Sequence, residues 1–149
     1  MTTTRENTPK VVKDICQHDH IRKVSFTGST AVGKIILGNC ATHVKKTQME
    51  LGGNAPFIVF NTADLDKAVA GVISCKFRCS GQTCICANRI LVQEQVYDKF
   101  VEKLALAMKE QLHIGDGFNE KTTQGPLINQ RAVEKVIFIV LCLLKLIFC

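Results

Sequence analysis

Lys23-Val24-Ser25-Phe26-Thr27-Gly28-Ser29-Thr30-Ala31-Val32-Gly33-Lys34-Ile35-Ile36-Leu37 is the stretch on which the fold turns. Residues 23–27 read as a short buried strand that ends at Gly28. Ser29 or Thr30 then caps a helix running through Ile35, Ile36 and Leu37. The same alternation continues downstream. Residues 44–51 and the entirely apolar Pro56-Phe57-Ile58-Val59-Phe60 are two further strand candidates, separated by the turn Gly52-Gly53-Asn54. Asn61-Thr62-Ala63-Asp64 supplies capping chemistry for a helix through Leu65, Ala68, Val69, Val72, Ile73 and Phe77. Residues 89–93 follow as a strand and 96–112 as an amphipathic helix with Phe100, Leu104 and Met108 on one stripe. Upstream, Thr8-Pro9 reads as a cap and first turn for a short helix to about Gln17. Strands alternating with helices predict an α/β architecture with a largely parallel sheet.

Within the opening stretch, Gly28 to Lys34 has the G-x4-G-K frame of a phosphate-binding loop, after a strand and before a helix. Position 35 is isoleucine, where such a loop needs Ser or Thr to hold magnesium. What remains is a set of free amides at a helix N-terminus beside small residues, which suits a pyrophosphate. A dinucleotide is the favoured ligand, with a nucleoside triphosphate module or a plain tight turn as alternatives.

The 149 residues suffice for one domain, or for a piece of a larger one. The net charge of +6 is dispersed and does not gather with aromatics, so no nucleic-acid partner is expected. Eight cysteines stand at irregular spacings behind an N-terminus without an apolar signal segment. Free thiols in an intracellular, reducing compartment are therefore expected, with no targeting signal. Cys75, Cys79, Cys84 and Cys86 follow no usual zinc-ligand spacing, so no metal is expected. From Val136 to Cys149 only Lys145 interrupts an apolar run that is too short to cross a bilayer, for which about 20 residues are needed. No transmembrane span is expected, and such a helix calls for a partner surface.

Two further segments carry chemistry. Gly81-Gln82-Thr83-Cys84-Ile85-Cys86 offers a thiol beside glycine-permitted backbone, and Met49-Glu50-Leu51-Gly52-Gly53 offers a carboxyl in an apolar stretch before a glycine pair. A thiol becomes a nucleophile as the thiolate, while a carboxyl with a raised pKa can act as a general base. Each also has a plain structural role available: Cys84 as a small buried hydrophobe, Glu50 as a surface carboxylate.

Phe26-Thr27-Gly28-Ser29-Thr30-x-x-Gly33, Met49 to Gly53 and Gly81-Gln82-Thr83-Cys84, in that order, resemble the aldehyde dehydrogenase superfamily. The likeness covers roughly residues 4–136. Ser74 to Arg89 and Thr122 to Asn129 are similar to the succinate-semialdehyde dehydrogenases within it. The resemblance implies a partial family fold: residues 1–53 as the end of a Rossmann-like NAD(P)-binding domain, 54–136 as the start of the α/β catalytic domain, and 137–149 as an apolar tail foreign to the family.

It also implies roles. Cys84 attacks the aldehyde to form a thiohemiacetal and then a thioester, and its own amide donates to the oxyanion. Glu50 activates water for hydrolysis. Gly28, Ser29, Thr30, Ala31, Val32 and Gly33 lie along the pyrophosphate of NAD or NADP, with Leu51 and Gly52 near the nicotinamide. Arg78, six residues before Cys84, grips the carboxylate of a small aldehyde such as succinate semialdehyde. Cys86 is a redox partner of the nucleophile. Such proteins are homo-oligomers of the mitochondrial matrix or cytosol. The family's other oxyanion-hole Asn, adenosine-ribose Lys, second substrate Arg, nicotinamide-ribose Glu and oligomerisation segment have no counterpart in this sequence. Little or no turnover is therefore expected of this chain alone, and a non-catalytic protein that binds full-length subunits is the alternative.

Overall fold

The computed structural model describes residues 3–148, so Met1, Thr2 and Cys149, at the ends of the expected domain ranges, lie outside the described residues. The chain divides into two compact units, Met1–Gly53 and Asn54–Cys149.

The first unit contains helix α1 (Thr8–Gln17), strand β1 (Lys23–Thr27), helix α2 (Thr30–Ala41) and strand β2 (Lys46–Glu50). β1 and β2 pair in parallel, Thr27 opposite Glu50, across the α2 crossover. Because side chains alternate along a strand, the two faces have opposite character. Val24, Phe26 and Met49 turn to the helices and pack against buried Cys16, Ile36 and Cys40, whereas Ser25, Thr27, Gln48 and Glu50 share the polar face. Burial pushes the Cys16 thiol up to about 11, reinforced by a hydrogen bond with Cys40 and opposed by Lys45.

Two local expectations need correction here. Asn7, not Thr8, is the N-cap of α1, because the Thr8 hydroxyl donates back to Thr4 O at 2.6 Å and the residue is already helical. The second strand begins at Lys46, not Val44. Val44 has a left-handed φ of 49° because Lys45 is drawn inward, its Nζ donating to His18 O at 2.6 Å and Ile21 O at 2.7 Å. Those two bonds override the strand preference of a β-branched residue.

The second unit repeats the plan. Strand β3 (Ala55–Val59) and strand β4 (Ala87–Val92) pair in parallel across helix α3 (Leu65–Lys76), and helices α4 (Glu94–Gln111) and α5 (Gln130–Phe148) follow. The Asp64 carboxylate caps α3 by accepting from the Asp66 and Lys67 amides, and these bonds hold its pKa below the ordinary value. Val59, Val69, Val72, Phe100 and Ala107 form the core, with Phe57, Ile90 and Leu104 against it. The other sheet face is uncovered: Ile58 is 54% and Leu91 51% exposed. The continuous apolar pattern of residues 56–60 thus belongs to a strand buried on one face only, within a two-stranded sheet.

α5 continues the apolar run as a helix, and none of its described side chains enters either core. Phe138 is 68% exposed and Leu141 53%. Among the described residues no helix is long and apolar enough to cross a membrane.

Candidate functional site

The functional residues expected from the sequence fall on both units, and each unit brings its own set together. In the first, β1 ends at the glycine turn and the Gly28 amide donates to Glu50 O at 3.0 Å, joining the turn to the end of β2. Ser29 caps α2, its Oγ accepting from the Val32 amide at 3.3 Å while its carbonyl accepts from Gly33 at 2.9 Å. The earlier amides of the helix, on Thr30 and Ala31, have no intrahelical partner by construction and carry the positive end of the helix dipole. Glycine at position 33 lets Leu51 approach closely: a Cβ there would lie 2.6 Å from Leu51 Cδ2, so the leucine end would have to shift. Leu51 therefore rests on the first turn of α2, beside the residues that end β2. Glu50 itself projects from the polar face and is exposed, which differs from the apolar setting its neighbours in sequence imply.

Beside this helix N-terminus lies an apolar cavity of about 390 Å³ whose lining includes Pro9, Val12, Phe26, Val32, Ile35 and Asn39. Of these only Val32 was a sequence candidate. The signal was Ile35, 63% exposed on the outer side of an otherwise ordinary helix turn. Where a magnesium-binding loop has a hydroxyl, this chain extends an apolar wall. The arrangement of cap, close-packed glycine and apolar cavity fits a dinucleotide: a pyrophosphate against the amides and a flat heterocycle against the wall.

In the second unit, α3 leads into a short 3₁₀ turn, Arg78–Gly81, and then to the turn Thr83–Cys86 that holds Cys84. Cys84 is exposed and Cys86 buried, both as free thiols. Cys86 closes the loop, its amide donating to Thr83 O at 3.2 Å while its Sγ lies 2.6 Å from Thr83 Oγ1 and 3.9 Å from Arg78 O. Cys79, Ser80 and Gly81 all have positive φ, at 50°, 56° and 75°. For the two non-glycine residues this costs on the order of 1–3 kcal/mol each, so other bonds must hold them there. Ser80 Oγ donates to Gly125 O at 3.0 Å, and Gln82 Nε2 donates to Cys79 O at 3.1 Å while its Oε1 accepts from the Ile128 amide at 2.9 Å. This bracing has no signal in the sequence, since the partners are more than 40 residues apart. Arg78 is exposed and borders a cleft of about 340 Å³ formed with Ile73, Ser74, Phe77, Leu112 and Gln124. Arg78 thus stands exposed at one end of the loop and Cys84 exposed near the other, and the cleft that Arg78 borders does not include Cys84 in its lining.

Comparison with known proteins supplies a family. The model of the aldehyde dehydrogenase family matches residues 3–141. A mitochondrial succinate-semialdehyde dehydrogenase from Hylobates lar is 56% identical over 133 residues, covering 89% of this chain and 25% of that protein. The crystal structure of an NADP-dependent enzyme from E. coli superposes with a TM-score of 0.84 at 54% identity, over 87% of this chain and 27% of the other. A betaine aldehyde dehydrogenase from Staphylococcus aureus in complex with NAD+ gives a TM-score of 0.76 at 36% identity, over 80% and 24% of the two chains. The chain spans about a quarter of the length of the curated relatives it matches.

Proposed function

The chain belongs to the aldehyde dehydrogenase family, and from that premise we propose that its residues serve the NAD(P)-dependent oxidation of a small aldehyde bearing a carboxylate, succinate semialdehyde being the substrate best matched. The observation that carries this reading is the exposed Cys84 on a braced loop that begins at Arg78. The Cys84 thiolate attacks the aldehyde carbon and forms a thiohemiacetal, whose oxyanion receives a hydrogen bond from the Cys84 amide, a contribution of about 3 kcal/mol. Arg78 holds the distal carboxylate through paired hydrogen bonds, so the carbonyl is presented at the thiol. Once the thiohemiacetal has given up hydride to the nicotinamide cofactor, Glu50 would take a proton from the water that hydrolyses the thioester, releasing the carboxylic acid and the Cys84 thiol.

NAD or NADP, when bound, supplies the hydride acceptor. Gly28, Ser29 and the first amides of α2 would hold its pyrophosphate, with the adenine in the cavity walled by Val32 and Ile35 and with Leu51 and Gly52 toward the nicotinamide. The mitochondrial relative accords with a mitochondrial or other reducing compartment. In this reading Cys86 is a redox partner for Cys84, and its burial means that the loop must open before the two thiols can join.

The test is titration of NADH and NADPH with the purified chain, followed by fluorescence. Saturable binding is expected, weakened roughly ten-fold or more in Val32→Asp, which sets a carboxylate against the anionic ligand at the helix N-terminus. Any NAD(P)H formed from succinate semialdehyde should vanish in Cys84→Ala. No binding of either nucleotide, or turnover that survives Cys84→Ala, would overturn the reading.

A further inference from the structure

We propose that Ser80 and Gln82 are positioning residues, which brace the left-handed turn Cys79–Gly81 against the Gly125–Ile128 segment and so hold the turn that presents Cys84 in a fixed setting relative to Arg78. This rests on the assignment of Cys84 as nucleophile and Arg78 as carboxylate-binding group. Three observations carry it. First, the strained residues lie in the chain between these two groups, so relaxation of Cys79 or Ser80 to an ordinary backbone conformation redirects one with respect to the other. Second, among the described residues Ser80 and Gln82 both bond to that one distant segment: Ser80 Oγ donates to Gly125 O, and Gln82 Oε1 accepts from the Ile128 amide. Gln82 spends its other amide end on Cys79 O, inside the strained turn, and so couples turn and brace through one side chain.

Third, the bracing segment is itself moored. Thr123 Oγ1 donates to Gln111 O at 2.8 Å and accepts from the His113 amide at 2.9 Å, which ties the chain just before Gly125 to the end of α4. The bonds therefore run from the α4 helix, through Thr123, Gly125 and Ile128, to Ser80 and Gln82, and from there along the chain to the Thr83–Cys86 turn. Cys86, anchored at the start of β4 and in contact with Arg78 O, closes the loop on its far side. With both sides fixed, the exposed Cys84 is presented from a held frame.

The experiment is amide hydrogen exchange and Cys84 alkylation on the full chain and four variants. In Gln82→Met, of similar length but without the amide, exchange at both Ile128 and Cys86 is expected to rise roughly ten-fold. The rate ratio of iodoacetate to iodoacetamide at Cys84, which senses the Arg78 cation from the thiol, is expected to fall roughly three-fold. Adding Cys79→Gly relieves the strain that the brace opposes, so it should restore the Cys86 protection and the ratio without restoring Ile128; a merely destabilised protein would not be rescued by a new glycine. Ser80→Ala should reproduce the loss in part. A rise at Ile128 with Cys86 unchanged would overturn the proposal, as would failure of Cys79→Gly to rescue. A ratio that ignores Arg78→Gln would instead refute the carboxylate role of Arg78, and the Cys86 exchange would still decide the bracing.

Discussion

Glycine is present twice within α2, at Gly33 and Gly38, and the structure assigns the two opposite responses to the same substitution. On an exposed helix interior, Gly→Ala gains about 1 kcal/mol of helix propensity. Nothing lies within 4 Å of a Cβ built on Gly38, so Gly38→Ala should stabilise the first unit by about that amount. A Cβ on Gly33 falls 2.6 Å from Leu51 Cδ2 and 3.0 Å from Cδ1, where ordinary contact begins at 3.4 Å. Leu51 must therefore withdraw by 3.4 − 2.6 = 0.8 Å, or α2 must lift from the end of β2. Overpacking costs about 1–3 kcal/mol in a closed core, and because Leu51 is half-buried and flexible the cost here falls at the low end, enough to cancel the propensity gain, with Gly33→Val adding to it. The chain has no tryptophan and its single tyrosine, Tyr97, lies in the second unit, so unfolding of the first is best followed by peptide-resolved hydrogen exchange in urea. The dinucleotide assay adds a functional arm: Gly33→Ala should weaken NADH binding because Leu51 and the first turn of α2 move apart, while Gly38→Ala should leave it unchanged. Equal stabilisation by both alanines, with binding intact in both, would refute the claim that Leu51 packs on Gly33 and shapes the cofactor loop.

Other expectations concern stability and pH. Phe100, 1% exposed at the centre of the second core, should cost about 3–5 kcal/mol on truncation to alanine, read as a lower urea midpoint. The Cys16 thiol is raised from 9.0 to about 11, so the folded first unit retains a proton that the unfolded chain loses; its stability should fall as pH rises from about 9 to 11, and Cys16→Val should flatten that slope. Asp64 is shifted the other way. Its capping contribution is complete above the unfolded carboxyl pKa and lost as pH falls through the lower folded value, so the acid limb of α3 exchange protection should flatten in Asp64→Asn.

What the sequence made legible was the chemistry of short range. The strand at residues 23–27 and the Asp64 cap depend on neighbours within a few positions and are present in the structure, which also chooses Ser29 over Thr30 as the cap of α2; the strand is not buried as expected, since its residues alternate between exposed and half-buried. Val44 departs from the expected strand because its backbone answers to Lys45, whose ammonium binds carbonyls more than 20 residues away. The uniform apolarity of residues 56–60 is compatible with burial on one face or two, and only the pairing of β3 with β4 decides between them. Among the candidate site residues, the turn at Gly28 and the cap at Ser29 are local features that a sequence can show, whereas the contact of Gly33 with Leu51 is not. The brace on Cys79–Gly81 is not legible in this way: Gly81 announces a positive φ, but Cys79 and Ser80 do not, and the bonds from Ser80 to Gly125 and between Ile128 and Gln82 come from a remote loop.

The central claim, that Cys84 is the nucleophile for an aldehyde whose far end is held by Arg78, is tested most directly by alkylation of Cys84 with iodoacetamide in the presence of increasing succinate semialdehyde, followed by peptide mass spectrometry. Formation of the thiohemiacetal should protect Cys84 saturably and leave the other thiols unaffected. Butanal, without the carboxylate, should protect only at far higher concentration, and Arg78→Gln should raise the concentration of succinate semialdehyde needed by roughly ten-fold or more, in line with the loss of about 1.5–3 kcal/mol for a charge-assisted pair. Alkylation of Cys84 at the same rate with and without succinate semialdehyde, or equal protection by butanal, would contradict it.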